Sequence, residues 1–192
     1  MYTGKKKFFI QTVVIAILYI ILTLIADQFG MAKGIVQVRI SDALCVLPYY
    51  TPAAIPGLFI GSAISNAIIS LTPGAEAGKM ILSSAARDYV IYGSLSILLA
   101  SIVSYSIRKV KFVVCIPPIV FNTIVIPLLF KYAFRYDDSL LKCFLTVGVG
   151  ELISCGLLGT ALLLGLEDSR DKFFPTDKAD NEQSEDELKE EE

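Results

Sequence analysis

ALCVLPYYTPAAIPGLFIGSAISNAIISLTPGA, residues 43–75, carries no charged side chain over 33 positions. As one α-helix at ~1.5 Å per residue it would measure about 50 Å, far more than the ~30 Å hydrocarbon core of a bilayer. The run therefore has to break. Pro48 and Pro52, on either side of Tyr49-Tyr50-Thr51, supply the break, because proline removes a backbone donor and keeps helix from the residue before it. On this division one span covers about 35–47 and the next about 53–71. The first is short and contains Arg39 and Asp42, so it cannot simply face lipid.

The rest of the chain repeats the pattern. Residues 8–26 are uncharged and long enough to cross a bilayer as helix, with Gln11, Thr12 and Thr23 as their hydrogen-bonding side chains. Lys5-Lys6-Lys7 ahead of this run imitates a signal peptide. The apolar stretch exceeds the usual ~7–15 residues, however, and no small-residue cleavage site follows, so an uncleaved first span is expected. Residues 89–107 and 112–130 are two further uncharged runs, separated by the basic turn Arg108-Lys109-Val110-Lys111. Residues 143–166 form a last one, interrupted only by Glu151.

These runs predict an all-α integral membrane protein: a six-transmembrane-helix bundle over residues 1–166, followed by a disordered acidic C-terminal tail over 167–192. The positive-inside rule sets the N-terminus in the cytoplasm of a cell-membrane protein. An even number of crossings then returns Arg108, Lys109, Lys111 and the tail to that side.

Composition agrees. Of 192 residues 54% are hydrophobic, above the ~45–50% of soluble domains, and mean hydropathy is +0.63. The formal charge of −2 conceals a division, because residues 167–192 hold twelve acids against four bases, −8, which leaves +6 for the membrane part. The tail is poor in aromatic and β-branched residues and dense in like charge, so it cannot bury enough surface to order itself. Four cysteines, Cys45, Cys115, Cys143 and Cys155, sit in or beside apolar runs without C-x-x-C spacing, and the chain has no histidine. They are read as reduced packing residues, with no metal site and no cofactor.

Polar residues inside the spans are the candidates for chemistry. Glu151 lies in an otherwise uncharged run, where a carboxylate costs from ~2.5 to ~10 kcal/mol unless it is paired or hydrated. It is read as a ligand contact, the alternative being a structural ion pair with Arg39. Arg39 and Asp42, three residues apart, share a face if their segment is helical, and together suit a ligand with both donors and acceptors. Asn122 follows Pro117-Pro118, which should kink its helix and expose backbone carbonyls at membrane depth. Asn66, in a run of small residues, reads instead as interhelical glue. Gly57-x-x-x-Gly61 and Ala63-x-x-x-Ala67 permit close helix packing, within the protein or against another. Gly74 to Met80 only glances at a phosphate-binding loop, with three residues between its glycines and no Ser/Thr after Lys79. Without histidine no nucleophile–base pair is evident, so an enzyme is not expected.

The ordered set Gln37-Val38-Arg39-Ile40-Ser41-Asp42-Ala43-Leu44 with Leu47-Pro48, Asp88 with Tyr92-Gly93, Pro117-Pro118 with Asn122, and Gly148-Val149-Gly150-Glu151 resembles the QueT family of queuosine-precursor transporters. These are substrate-binding (S) components of energy-coupling factor importers. Asp42 stands where that family has glutamate, and Thr12-x-x-x-Ala16 stands where S components often show two alanines on a partner-docking face. The resemblance implies a six-helix subunit that binds a 7-deazaguanine and works with a transmembrane coupling protein and two cytoplasmic ATPases, with no nucleic-acid partner. It implies a pocket formed by Arg39, Asp42, Asn122 and Glu151. The purine-like ring would stack on an aromatic, with Tyr49, Tyr50 and Tyr92 near the ends of spans where a pocket mouth would be, the alternative being an ordinary interfacial tyrosine belt. A self-sufficient carrier would need its own coupling route, such as a chain of protonatable residues or an inverted repeat, and neither is visible.

Overall fold

The computed structural model describes residues 4–29, 38–71, 84–133, 135, 137, 139–168 and 174. The tail predicted over 167–192 lies outside them except for Glu167, Asp168 and Phe174, as do Gln37 and the stretch Gly74 to Met80. Among the described residues all regular structure is helical.

Helix α1 is Gly4–Gln28, α2 is Ala54–Leu71, α3 is Ser84–Ser106 and α4 is Ile116–Tyr132. A short 3₁₀ turn, Lys111–Cys115, leads into α4, whose two N-terminal prolines occupy positions where no intrahelical N–H is needed. Helix α5, Leu140–Glu151, passes into a π-helical segment, Leu152–Gly159, and then into α6, Thr160–Gly165. Ser139 caps α5 by accepting the Lys142 backbone N–H.

Four helices are long and apolar enough to cross a membrane: Gly4–Gln28, Arg87–Ser106, Lys111–Tyr132 and Leu140–Gly165. Two predicted crossings are shorter. Helix α2 has 18 residues, about 27 Å. The span expected at 35–47 is not a straight α-helix: its described part is a ten-residue 3₁₀ helix, Ile40–Tyr49, about 20 Å long. A 3₁₀ run of that length is uncommon, and here nearly every side chain from Ser41 to Pro48 is buried. Packing on all sides permits it, since irregular backbone at membrane depth survives where protein surrounds it. Pro48 lies inside this segment, and the chain turns just after it, with the Tyr50 and Thr51 N–H groups donating to Leu47 O at 2.9 and 3.1 Å.

The segments alternate in direction. Gly57 abuts Thr12 and Ile15 while Gly61 abuts Ala16 and Tyr19, so α1 and α2 run parallel. The 3₁₀ segment between them runs back, with Asp42 at Tyr19 and Thr51 at Gln11. Ser96 meets Asn122 and Ser104 meets Val114, so α3 opposes α4. Asn122 meets Glu151 and Cys115 meets Thr160, so α4 opposes the last helix. Lys5 to Lys7, the turn at Arg108 and the end of α6 consequently share one end, where Lys111 pairs with Glu167.

Gly57 and Gly61 hold α1 against α2. A Cβ at Gly61 would sit 2.8 Å from Tyr19 Cβ, and one at Gly57 2.9 Å from Thr12 O, so the small-residue motif is used within the protein. Thr12 and Ala16 are buried on this internal face, and Thr12 Oγ1 donates to Ala53 O. The core runs through Tyr19, Val46, Leu58, Ile97, Val114, Cys155 and Leu163. All four cysteines are free thiols. Ile17, Ile21, Leu145, Leu152 and Leu157 point outward, as lipid-facing side chains do.

Candidate functional site

The polar groups of six segments converge inside the bundle. Arg39 precedes the 3₁₀ helix in extended conformation (φ −104°, ψ 96°), so it leaves the face on which Asp42 lies. The two side chains thus diverge instead of sharing a helical stripe. Arg39 Nη2 donates to Asn66 Oδ1 on α2 at 2.9 Å and to the Tyr89 hydroxyl on α3 at 2.8 Å. Its Cζ lies 5.7 Å from the Tyr89 ring centroid. Its backbone N–H donates to Ser154 Oγ in the π segment at 3.0 Å.

Asp42, fully buried, accepts the Tyr19 hydroxyl on Oδ1 at 2.6 Å. Glu151, 3% exposed at the end of α5, accepts Asn122 Nδ2 on Oε1 at 3.0 Å. Ser96 donates to Asn122 Oδ1 at 2.8 Å, which orients the amide so that its NH₂ meets the carboxylate. The expected alternative, Glu151 locked to Arg39 in an ion pair, is not what forms: among the described residues no ion pair joins Arg39 to either carboxylate.

Each carboxyl group keeps one oxygen, Asp42 Oδ2 and Glu151 Oε2, that is buried without a donor. The π segment that follows Glu151 packs on the 3₁₀ segment that carries Asp42: Gly159 lies so close to Ala43 and Val46 that a Cβ there would be 2.8 Å from Val46 Cγ1. A buried unsatisfied acceptor costs about 1–3 kcal/mol. No side chain among the described residues donates to either oxygen. π segments are frequent at functional sites.

The structure thus brings Arg39, Asp42, Asn122 and Glu151 into one cluster. It does not bring Tyr49 or Tyr92 there. Tyr49 packs edge-on against Tyr50 at the opposite end of the 3₁₀ helix, ring centroids 4.9 Å apart. Tyr92 is 51% exposed and lines an outer groove with Asp88, Val125, Leu128, Leu129, Tyr132 and Ala133. Sequence reasoning passed over Tyr19 and Tyr89 and gave Asn66 a packing role. For Tyr19 the available signal was a phenol in mid-span, which has to find a partner when buried.

A bundle with lipid-compatible outer helices and an enclosed polar cluster is the architecture of a membrane protein with a buried polar site. The family model for the QueT transporter matches residues 9–168, and the chain belongs to that family. It is a family of transporters, not of enzymes, and the match spans every residue of the cluster. Comparison with curated proteins and with solved structures gives no match.

Proposed function

We propose that this chain is the substrate-binding component of an energy-coupling factor importer for a queuosine precursor of the 7-deazaguanine class. Family membership supports the substrate class. The observation that carries a binding role is the pair of donorless buried oxygens, Asp42 Oδ2 and Glu151 Oε2. The guanine-like edge of the base offers adjacent N–H groups that a carboxylate accepts as a pair, and a carbonyl beside them that needs a donor. Glu151 and Asp42 take the first role. Arg39, whose Nη2 is committed to Asn66 and Tyr89, offers its remaining N–H groups for the second, as does Asn122.

Stacking falls to Tyr89, beside Arg39 and parallel to Phe130 at 6.4 Å, in place of Tyr49 and Tyr92. The six alternating segments are all crossings on this reading, with the two short ones enclosed by the others. The lysine-rich end faces the cytoplasm and Arg39 lies in the outer half. Energy comes from a transmembrane coupling protein and two cytoplasmic ATPases.

Uptake of radiolabelled 7-cyano-7-deazaguanine into proteoliposomes tests this. ATP-dependent uptake only when the coupling protein and ATPases are reconstituted with the chain is the expected result. Full uptake by the chain alone, without ATP, overturns the proposal.

A further inference from the structure

Asp88 and Tyr92, both marked out in the sequence, take no part in the buried cluster. They line a groove between the N-terminal turns of α3 and the C-terminal turns of α4, together with Val125, Leu128, Leu129 and Tyr132. Its volume of about 390 Å³ gives room for roughly a dozen methylene-sized groups at ~30 Å³ each. We infer that this groove holds one phospholipid, with an acyl chain along α4 and a primary-ammonium head group against Asp88. The inference needs only a membrane-embedded bundle and stands whether or not the buried cluster binds the base.

The lining changes character with depth as a bilayer does. Asp88 lies four residues into α3, about 6 Å, and at the very start of Arg87–Ser106, the stretch apolar enough to cross a membrane. That is head-group level. Tyr92 and Tyr132 are both exposed, and a tyrosine suits this boundary because its ring is apolar and its hydroxyl wet. Val125, Leu128 and Leu129 offer only apolar surface, and Val125 lies seven residues, about 10 Å, along α4 from Tyr132.

Asp88 sets the head group. It is half-buried, and among the described residues no hydrogen bond or ion pair engages it. The cations of this end, Arg87, Lys131 and Arg135, do not line the groove. A carboxylate at the lip of an apolar groove repels an anionic head group and accepts charge-assisted hydrogen bonds from an ammonium. Choline carries the same charge as ethanolamine but has no N–H to donate. A partner helix is the poorer occupant: seven lining residues fall short of the ~20–30 a side of a specific protein interface, whereas lipid is present wherever the bundle is.

Native mass spectrometry of the full chain, released from micelles carrying equimolar phosphatidylethanolamine, phosphatidylcholine and phosphatidylglycerol with identical acyl chains, tests this. The expected result is one retained phosphatidylethanolamine, favoured at least about tenfold over either of the others. Asp88→Asn should abolish the preference, and Leu128→Trp, which fills the groove, should lower retention of phosphatidylethanolamine with Asp88 in place. Equal retention of the three lipids by wild type, or a preference for phosphatidylglycerol, overturns the inference. An undiminished preference in folded Asp88→Asn, or undiminished retention in folded Leu128→Trp, does so as well.

Discussion

Asn122 Nδ2 donates to Glu151 Oε1 at 3.0 Å, while Asn122 Oδ1 accepts from Ser96 at 2.8 Å. This relay ties α3, α4 and α5 to one carboxylate and fixes which way it faces. Replacing Ser96 with alanine frees the amide to rotate. The expected result is a several-fold weaker affinity for the base with little change in fold, and a titration of Ser96→Ala beside wild type checks it.

Tyr19 plays the same part for Asp42. Tyr19→Phe removes the 2.6 Å hydrogen bond and leaves a second buried acceptor on Asp42 without a donor. A loss of about 1–3 kcal/mol of stability follows, read as a lower unfolding temperature in detergent. A variant as stable as wild type would show that the phenol does not support the carboxylate.

Arg39→Lys keeps the charge but not the fork. One guanidinium nitrogen reaches both Asn66 and Tyr89, whereas an ammonium is a compact point charge with no planar donor array. Binding should weaken by at least about tenfold, ~1.4 kcal/mol. Tyr92→Phe, in the outer groove, should bind as wild type does, and isothermal titration of the two variants separates the cluster from the groove.

The contact of α1 with α2 has a prediction of its own. Gly61→Leu drives a side chain into Tyr19 Cβ and Ala16 O and should cost about 1–3 kcal/mol from overpacking alone. Gly165→Ala meets nothing within 4 Å and should stay within about 0.5 kcal/mol of wild type. Thermal unfolding of the pair measures the difference.

Much of this buried polar cluster was legible in the sequence, for a physical reason. A charge or amide in an apolar run stands out because lipid cannot solvate it, and Arg39, Asp42, Asn122 and Glu151 all declared themselves in that way. Their partners did not. Tyrosine counts among the hydrophobic residues in composition and carries no charge, so Tyr19 and Tyr89 did not stand out, although their hydroxyls bond Asp42 and Arg39. Asn66 carried the signature of glue and is in fact bonded to Arg39. The 3₁₀ winding of Ile40–Tyr49 was equally hidden. A short buried run is apolar on all sides whatever its pitch, so periodicity holds no information there. The prolines did mark where the chain turns.

The central claim, that Glu151 accepts a ligand's donors, is tested most directly by titrating 7-cyano-7-deazaguanine into purified wild-type chain and Glu151→Gln. Saturable binding by wild type and a loss of about a hundredfold or more in the variant, ~2.7 kcal/mol, with its unfolding transition retained, is the predicted result. Equal affinity in the two proteins would contradict it.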